Sequence, residues 1–175
     1  SLLLDRLVAS TGRVITVSSG GAYLAPLTVS GLDTVRMPFD GAYHYAMSKR
    51  AQLTLNELWA QRFTDCAVSF HAMHPGWVAT PGLASQLPAF HRYLRPFLRT
   101  PEQGADTIAW LAADEQGARS SGGFWFDRRL RAIHRLDRTR HSDTEERRGR
   151  LWRWCEERTG ITPVCGGRRA TRAEG

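Results

Sequence analysis

Three short runs of strand-forming residues are separated by segments long enough to be helices, and this alternation restricts the chain to a small set of folds. Residues 13–19, RVITVSS, are β-branched and end in small polar residues before Gly20-Gly21, so they read as a buried strand. A second run, 67–73, stops at His74-Pro75-Gly76, and GGFWFD at 122–127 is a third. Between the first two, Tyr43 to about Arg62 carries Tyr45, Ala46, Leu53, Leu55, Leu58 and Trp59 at mixed three- and four-residue steps among good helix formers. Thr100-Pro101-Glu102-Gln103 then supplies an N-cap, an N1 proline and a capping-box glutamine for a helix to about Ala113. Ser142 with Glu145 opens a last helix ending near Gly160, and residues 20–40 read as a long loop. Strand, helix, strand, helix, strand, helix implies an α/β fold with a parallel sheet layered by helices. Ligands of such sheets bind beyond the carboxyl ends of the strands, here Ser18-Ser19 and His74-Pro75-Gly76.

One of those helices carries a chemical pair. Tyr45 and Lys49 are four apart, so their side chains share a helix face. A phenol titrates near 10, and a neighbouring ammonium favours its phenolate, which makes such a pair a tuned acid/base. A YxxxK spacing is common by chance, but composition changes its weight. Of 24 basic residues 23 are arginine, and the sole lysine stands four residues after one of only four tyrosines. Ser19 ends the first strand, where a hydroxyl can hold a substrate oxygen against the tyrosine. Ser18 is the alternative, because strand alternation puts only one of the two on the active face.

The strings GRVITVSSGG, AYHYAMSKRA and HPGWVATPG, in that order and setting, resemble the short-chain dehydrogenases/reductases from Leu2 to about Asp127. MPFDG, QGADTIAWLA and SGGFWFDR narrow the resemblance to the member-twelve subgroup of that family. The resemblance implies the C-terminal part of a Rossmann-type doubly wound parallel sheet, and the chain reads as a partial domain over 1–160 followed by a disordered basic tail over 161–175. By the same resemblance Tyr45 is the general acid/base, Lys49 holds the nicotinamide ribose and favours the phenolate, and Ser19 orients the substrate. Pro75, Gly76, Val78 and Thr80 would wrap the nicotinamide, with the Val78 backbone meeting its carboxamide and the Thr80 hydroxyl reaching carboxamide or phosphate.

The chain also departs from that family. No glycine-rich GxGxxG turn occurs to seat a pyrophosphate, and the residue that would choose between NAD and NADP is missing, so the cofactor is left as NAD or NADP. The chain opens on Ser1 inside an apolar segment, which reads as a fragment. As such it is expected to bind dinucleotide weakly, to expose a sheet edge, and to self-associate as a homo-oligomer. The expected substrate is a small apolar alcohol or carbonyl compound, since the variable stretch 81–100 offers Leu83, Leu87, Phe90, Tyr93, Leu94 and Phe97.

Other features exclude rather than identify. No run is long and apolar enough for a membrane span or a signal peptide, so a cytoplasmic protein is expected. Cys66, Cys155 and Cys165 are odd in number and lack CxxC spacing, so they read as reduced thiols, and His44, His71 and His74 have no metal-ligand spacing. The net charge of +7 lies in the tail, where residues 128–175 hold 14 of the 24 basic and 7 of the 17 acidic residues. Arginines interleaved with Trp152 and Trp154 could grip nucleic acid or an acidic surface, giving a non-catalytic binding protein as the second function class. A solvated helix packed through Leu151, Trp154 and Cys155 is the preferred reading, and no nucleic-acid partner is expected.

Overall fold

A computed structural model describes residues 2–33, 38–86 and 92–165. Helix α1 (Leu4–Ala9) precedes strand β1 (Arg13–Val17), which leads through a 3-10 turn at Gly20–Leu24 and short α2 (Ser30–Asp33) to the long α3 (Gly41–Arg62). Then come β2 (Ser69–Met73), α4 (Pro81–Gln86), α5 (Pro101–Ala113), α6 (Glu115–Arg119), and the strands β3 (Phe124–Phe126) and β4 (Arg129–Leu130). Helices α7 (Asp137–Ser142) and α8 (Glu145–Thr159) follow. The sheet order is β1-β2-β3-β4, with β1, β2 and β3 parallel and β4 antiparallel to β3.

Side-chain alternation shows why the layers form. On β2, Phe70 and Ala72 join clusters with Leu58 and Leu53 of α3, whereas Met73 packs with Leu111 of α5 and with Trp125. Neighbouring strands keep the same division: Val14 and Phe124 face α3, and Ile15 and Trp125 face α5. Helices therefore cover both faces, and every residue of β2 is buried. His71 sits in this core at 0% exposure, its Nε2 on the Gly117 carbonyl at 2.9 Å and its Nδ1 accepting from Trp125 Nε1 at 3.1 Å. It is a satisfied core histidine. Among the described residues β1 pairs only with β2, so its outer edge is open.

The sequence places the three parallel strands and the three longest helices, and the differences at their ends have local causes. The Asp40 carboxylate accepts from Tyr43 N at 3.0 Å, so α3 starts at Gly41 rather than Tyr43. The capping box at Thr100 and Gln103 forms as expected. The last helix is capped by Thr144, not Ser142; Ser142 ends α7 and its hydroxyl accepts from Leu27 N at 2.8 Å. Gly160 closes that helix in the left-handed conformation, with φ 62°. Within the expected loop, Ala22, Tyr23, Ala25 and Leu27 plug into the core, which is why a 3-10 turn forms there.

In α8 the buried aromatic is Trp152, packed on Trp59, whereas Trp154 donates to Asp33 at 2.7 Å. This corrects Trp154 in the expected Leu151, Trp154 and Cys155 stripe: Leu151 is buried against α3 with Cys155 packed on its cluster, and Trp152 takes the place of Trp154. The expectation of three reduced thiols is also corrected, because the chain end returns to place Cys165 against Cys66, Cα atoms 6.2 Å apart, and the sulfurs are bonded. Sequence spacing could not reveal a contact across 99 residues. Cys155 is free. Residues 166–175 of the expected disordered tail lie outside the described residues, as do Leu87 and Phe90.

The β3–β4 hairpin was not foreseen. Both turn residues, Asp127 and Arg128, have positive φ, 52° and 55°, as a two-residue type I′ turn requires. Neither residue is a glycine, and each is held by a partner: Asp127 by Arg99, and Arg128 by Asp106.

Candidate active site

The carboxyl end of β1 and the second turn of α3 bring three of the expected residues together. Ser18 is buried and its hydroxyl donates to the Lys49 carbonyl at 3.1 Å, fastening strand to helix. Ser19 points the other way. Its Oγ accepts from Gly21 N at 3.1 Å, which leaves its own proton free to donate. A Cβ on Gly21 would lie 3.4 Å from Ser19 Oγ and 3.5 Å from the Tyr45 ring, so the serine oxygen and the phenol flank one small space. Tyr45 is 51% exposed, and among the described residues no group bonds its hydroxyl.

Lys49 Nζ stands 5.6 Å from the centroid of the Tyr45 ring. It donates to the Val17 carbonyl at 3.1 Å and to Gln52 Oε1 at 3.2 Å. An ammonium has three protons, so one remains for a ligand. Gln52 was missed in the sequence, although its i+3 position on the same helix face could have indicated it.

The other expected residues follow β2. Gly76 has φ +79°, and a Cβ there would lie 2.9 Å from Arg99 Nε and 3.2 Å from Phe126. Gly76→Ala is expected to cost about 1–2 kcal/mol for the left-handed backbone, with the Arg99 contact added, read as a lower urea midpoint. An unchanged midpoint would contradict this account of the turn. Trp77 O accepts from Arg99 N at 2.8 Å and Ala79 N donates to Arg99 O at 2.9 Å. By the alternation of a parallel ladder, Val78 then turns its own N–H and carbonyl away from Arg99. Pro75 and Val78 pack over Gly104, where a Cβ would be only 2.6 Å from Val78 Cγ2. Thr80 Oγ1 accepts from Leu83 N at 3.2 Å and caps α4.

Two residues to which the sequence reading assigned no role, His74 and Arg50, tie these parts together. His74 stacks on Phe126 with centroids 4.2 Å apart, and its ring comes within 3.9 Å of a Cβ placed on Gly20. Burial, with the nearby Arg135 and Arg99 guanidiniums, lowers it to about 4, so it is neutral at physiological pH. Arg50, the neighbour of Lys49, is fully buried and donates to Ala22 O at 3.1 Å and Ile133 O at 2.7 Å. It joins the helix of Tyr45 and Lys49 to the turn after Ser19 and to the C-terminal segment. No periodicity distinguishes such an arginine from a solvated one. Tyr93 and Phe97, expected to line an apolar pocket, are 71% and 81% exposed. A cavity of about 550 Å³ lies apart from Ser19 and Tyr45, between Arg99, Glu102, Gln103, Asp106 and Asp127.

A helix-covered parallel sheet with its polar residues at the strand ends defines a partial Rossmann-type α/β protein. No protein-family model matches the chain. It is 46% identical over 123 residues to "Dehydrogenase/reductase SDR family member 12" of Homo sapiens, covering 70% of this chain and 38% of that protein. The Bos taurus protein of the same name is 46% identical over 136 residues, covering 77% and 42%. A solved "short chain dehydrogenase/reductase family protein" superposes with TM-score 0.52 at 21% identity, over 70% of this chain and 46% of that one. The chain belongs to the short-chain dehydrogenase/reductase family. It spans about two-fifths of the length of the curated relatives it matches. Among the described residues no helix is long and apolar enough to cross a membrane.

Proposed function

We propose that Ser19, Tyr45 and Lys49 form the reacting centre of an NAD(P)-dependent oxidoreductase that interconverts a hydroxyl and a carbonyl. The observation that carries this reading is the single space flanked by Ser19 Oγ and the Tyr45 ring, with Lys49 Nζ 5.6 Å from that ring. The Tyr45 hydroxyl gives or takes the proton on the substrate oxygen, and Ser19 donates its unused hydroxyl proton to the same oxygen. When bound, the nicotinamide supplies or accepts the hydride at the substrate carbon.

The chain's donors suit the nicotinamide end of such a cofactor. Lys49 keeps one proton for a ribose hydroxyl, the Val78 backbone is directed away from Arg99, and the Thr80 hydroxyl retains its proton. Pro75 and Gly76 set the turn that brings this backbone round. The pyrophosphate end has no seat, because these 175 residues contain no GxGxxG turn.

Dinucleotide binding by these residues alone is therefore weak. A fluorescence titration of the 175-residue chain with NADH and NADPH is expected to show no saturation, whereas protein that also carries a glycine-rich turn saturates. Low-micromolar binding by this chain would contradict that division of labour. The other function class, a binding protein working through its arginine-rich end, has less support. Arg148 and Arg158 are tied to Glu57, Asp143 and Asp33, and Leu151 and Trp152 are buried.

A further inference from the structure

Beyond His74 the rim of the site carries positive charge that the described residues do not neutralise. The Phe126 ring that stacks on His74 also has Arg99 over it at 4.5 Å and Arg131 at 5.5 Å. Arg99 is occupied, making bonds of 2.5 and 2.7 Å to the Asp127 carboxylate. Arg131 is not. Its Nε is buried without a hydrogen-bond partner, and among the described residues no carboxylate pairs with its guanidinium. A buried guanidinium N–H that no protein group accepts is a donor available to an anion.

Arg135 comes from the same segment and lies over the Tyr23 ring at 4.9 Å, again with no carboxylate paired to it among the described residues. Tyr23 belongs to the turn that starts at Gly20, one residue from Ser19, and its hydroxyl donates to the Ala132 carbonyl at 2.8 Å. The segment 131–135 is thereby held against the wall of the site. The guanidiniums of Arg131 and Arg135 both act on His74, where Asp127 is the opposing acid and is already paired with Arg99. Guanidinium forks match the oxygens of carboxylates and phosphates.

We propose that Arg131 and Arg135 form an anion-binding subsite that takes a carboxylate or phosphate at the end of the substrate remote from its reacting carbon. This rests on Ser19, Tyr45 and Lys49 being the reacting centre, and it makes the substrate an acid-bearing carbonyl compound or alcohol. The same chemistry could be met by a phosphate of the dinucleotide, so the test separates the two.

Backbone amide NMR of the 175-residue chain, at constant ionic strength, is read with inorganic phosphate, 4-oxopentanoate, its neutral counterpart 2-pentanone, and NADP. Phosphate and the keto acid should give saturable shifts at Gly20, Gly21 and His74, and 2-pentanone none at the same concentrations. Arg135→Gln, at an exposed position, should weaken keto-acid binding about tenfold, and Arg131→Gln should remove it. Equal shifts from 2-pentanone, or keto-acid shifts that survive both substitutions, would overturn the subsite. Arginine dependence for NADP and none for the keto acid would overturn the assignment to substrate. Binding is read without turnover, so a failure of Tyr45 as acid/base would leave this result standing and be seen separately.

Discussion

Tyr45→Phe is expected to lower kcat by about a hundred- to ten-thousandfold in protein that turns over, the usual range for a positioned general acid/base. Stability and dinucleotide affinity should be unaffected. The ring is half exposed and its hydroxyl has no partner among the described residues, so removing that oxygen breaks no internal bond. The Lys49 ammonium keeps the Val17 carbonyl and Gln52, and the aromatic face beneath it remains. The loss should therefore fall on kcat and kcat/KM alike, the sign of an interaction made in the transition state. Retained turnover would remove Tyr45 from the role. Lys49→Met is a poorer test, because it also strips a donor from the Val17 carbonyl at the end of β1.

A large effect on stability is expected at a position remote from the chemistry. The Asp143 side chain is 1% exposed and accepts from Arg148 Nε at 2.7 Å and Arg148 Nη2 at 3.1 Å, with His134 Nε2 3.1 Å away. Arg148 reaches on to Glu57 of α3 at 2.6 Å. Asp143→Ala would leave Arg148 buried with Glu57 as its acid, and burial already pushes the Glu57 carboxyl above its ordinary range despite Arg148. Breaking a buried pair from one side typically costs about 3–5 kcal/mol, and a loss of that size should appear in a urea melt. Because Asp143 links α7 to α8, the effect should reach the packing of Leu151 and Trp152 on α3. A loss below about 1 kcal/mol, the scale of an exposed pair, would show that the network is solvated.

Periodicity and turn chemistry made the parallel strands and the two long helices legible, because burial on both faces leaves β-branched and apolar runs that end at glycine and proline. Thr100 and Gln103 signalled their helix start through the chemistry of orphan backbone donors. The misplaced features depend on contacts distant in sequence. Trp152 rather than Trp154 is buried because the rotation of α8 is set by its docking on α3. Cys66 meets Cys165 only once the chain end has returned. The β3–β4 hairpin lacks the Asn-Gly or Asp-Gly pair that usually marks such a turn, and Asp127 and Arg128 are held instead by ion pairs that a local reading cannot see.

The site was legible to a similar depth. Tyr45 and Lys49 were visible because a helix converts a four-residue spacing into one face, and because the chain uses almost no other lysine. Between Ser18 and Ser19 strand alternation could decide only that one faces the site, and the geometry separates a buried hydroxyl that braces Lys49 from one that faces Tyr45. His74 was placed at a strand end but without a role, and Arg50 and Arg131 were not readable. Their environments are assembled from the turn after β1, the end of β2 and the segment after β4, and nothing in the neighbouring residues announces that convergence.

The measurement closest to the central claim is deuterium transfer from a C4-deuterated nicotinamide dinucleotide to the carbonyl carbon of a keto acid, in protein joining these residues to a glycine-rich pyrophosphate-binding turn. Mass spectrometry is expected to find deuterium at the carbinol carbon of the alcohol formed, and to lose it on Tyr45→Phe. Transfer that persists in that variant would contradict the assignment of Tyr45, Lys49 and Ser19 as the reacting centre.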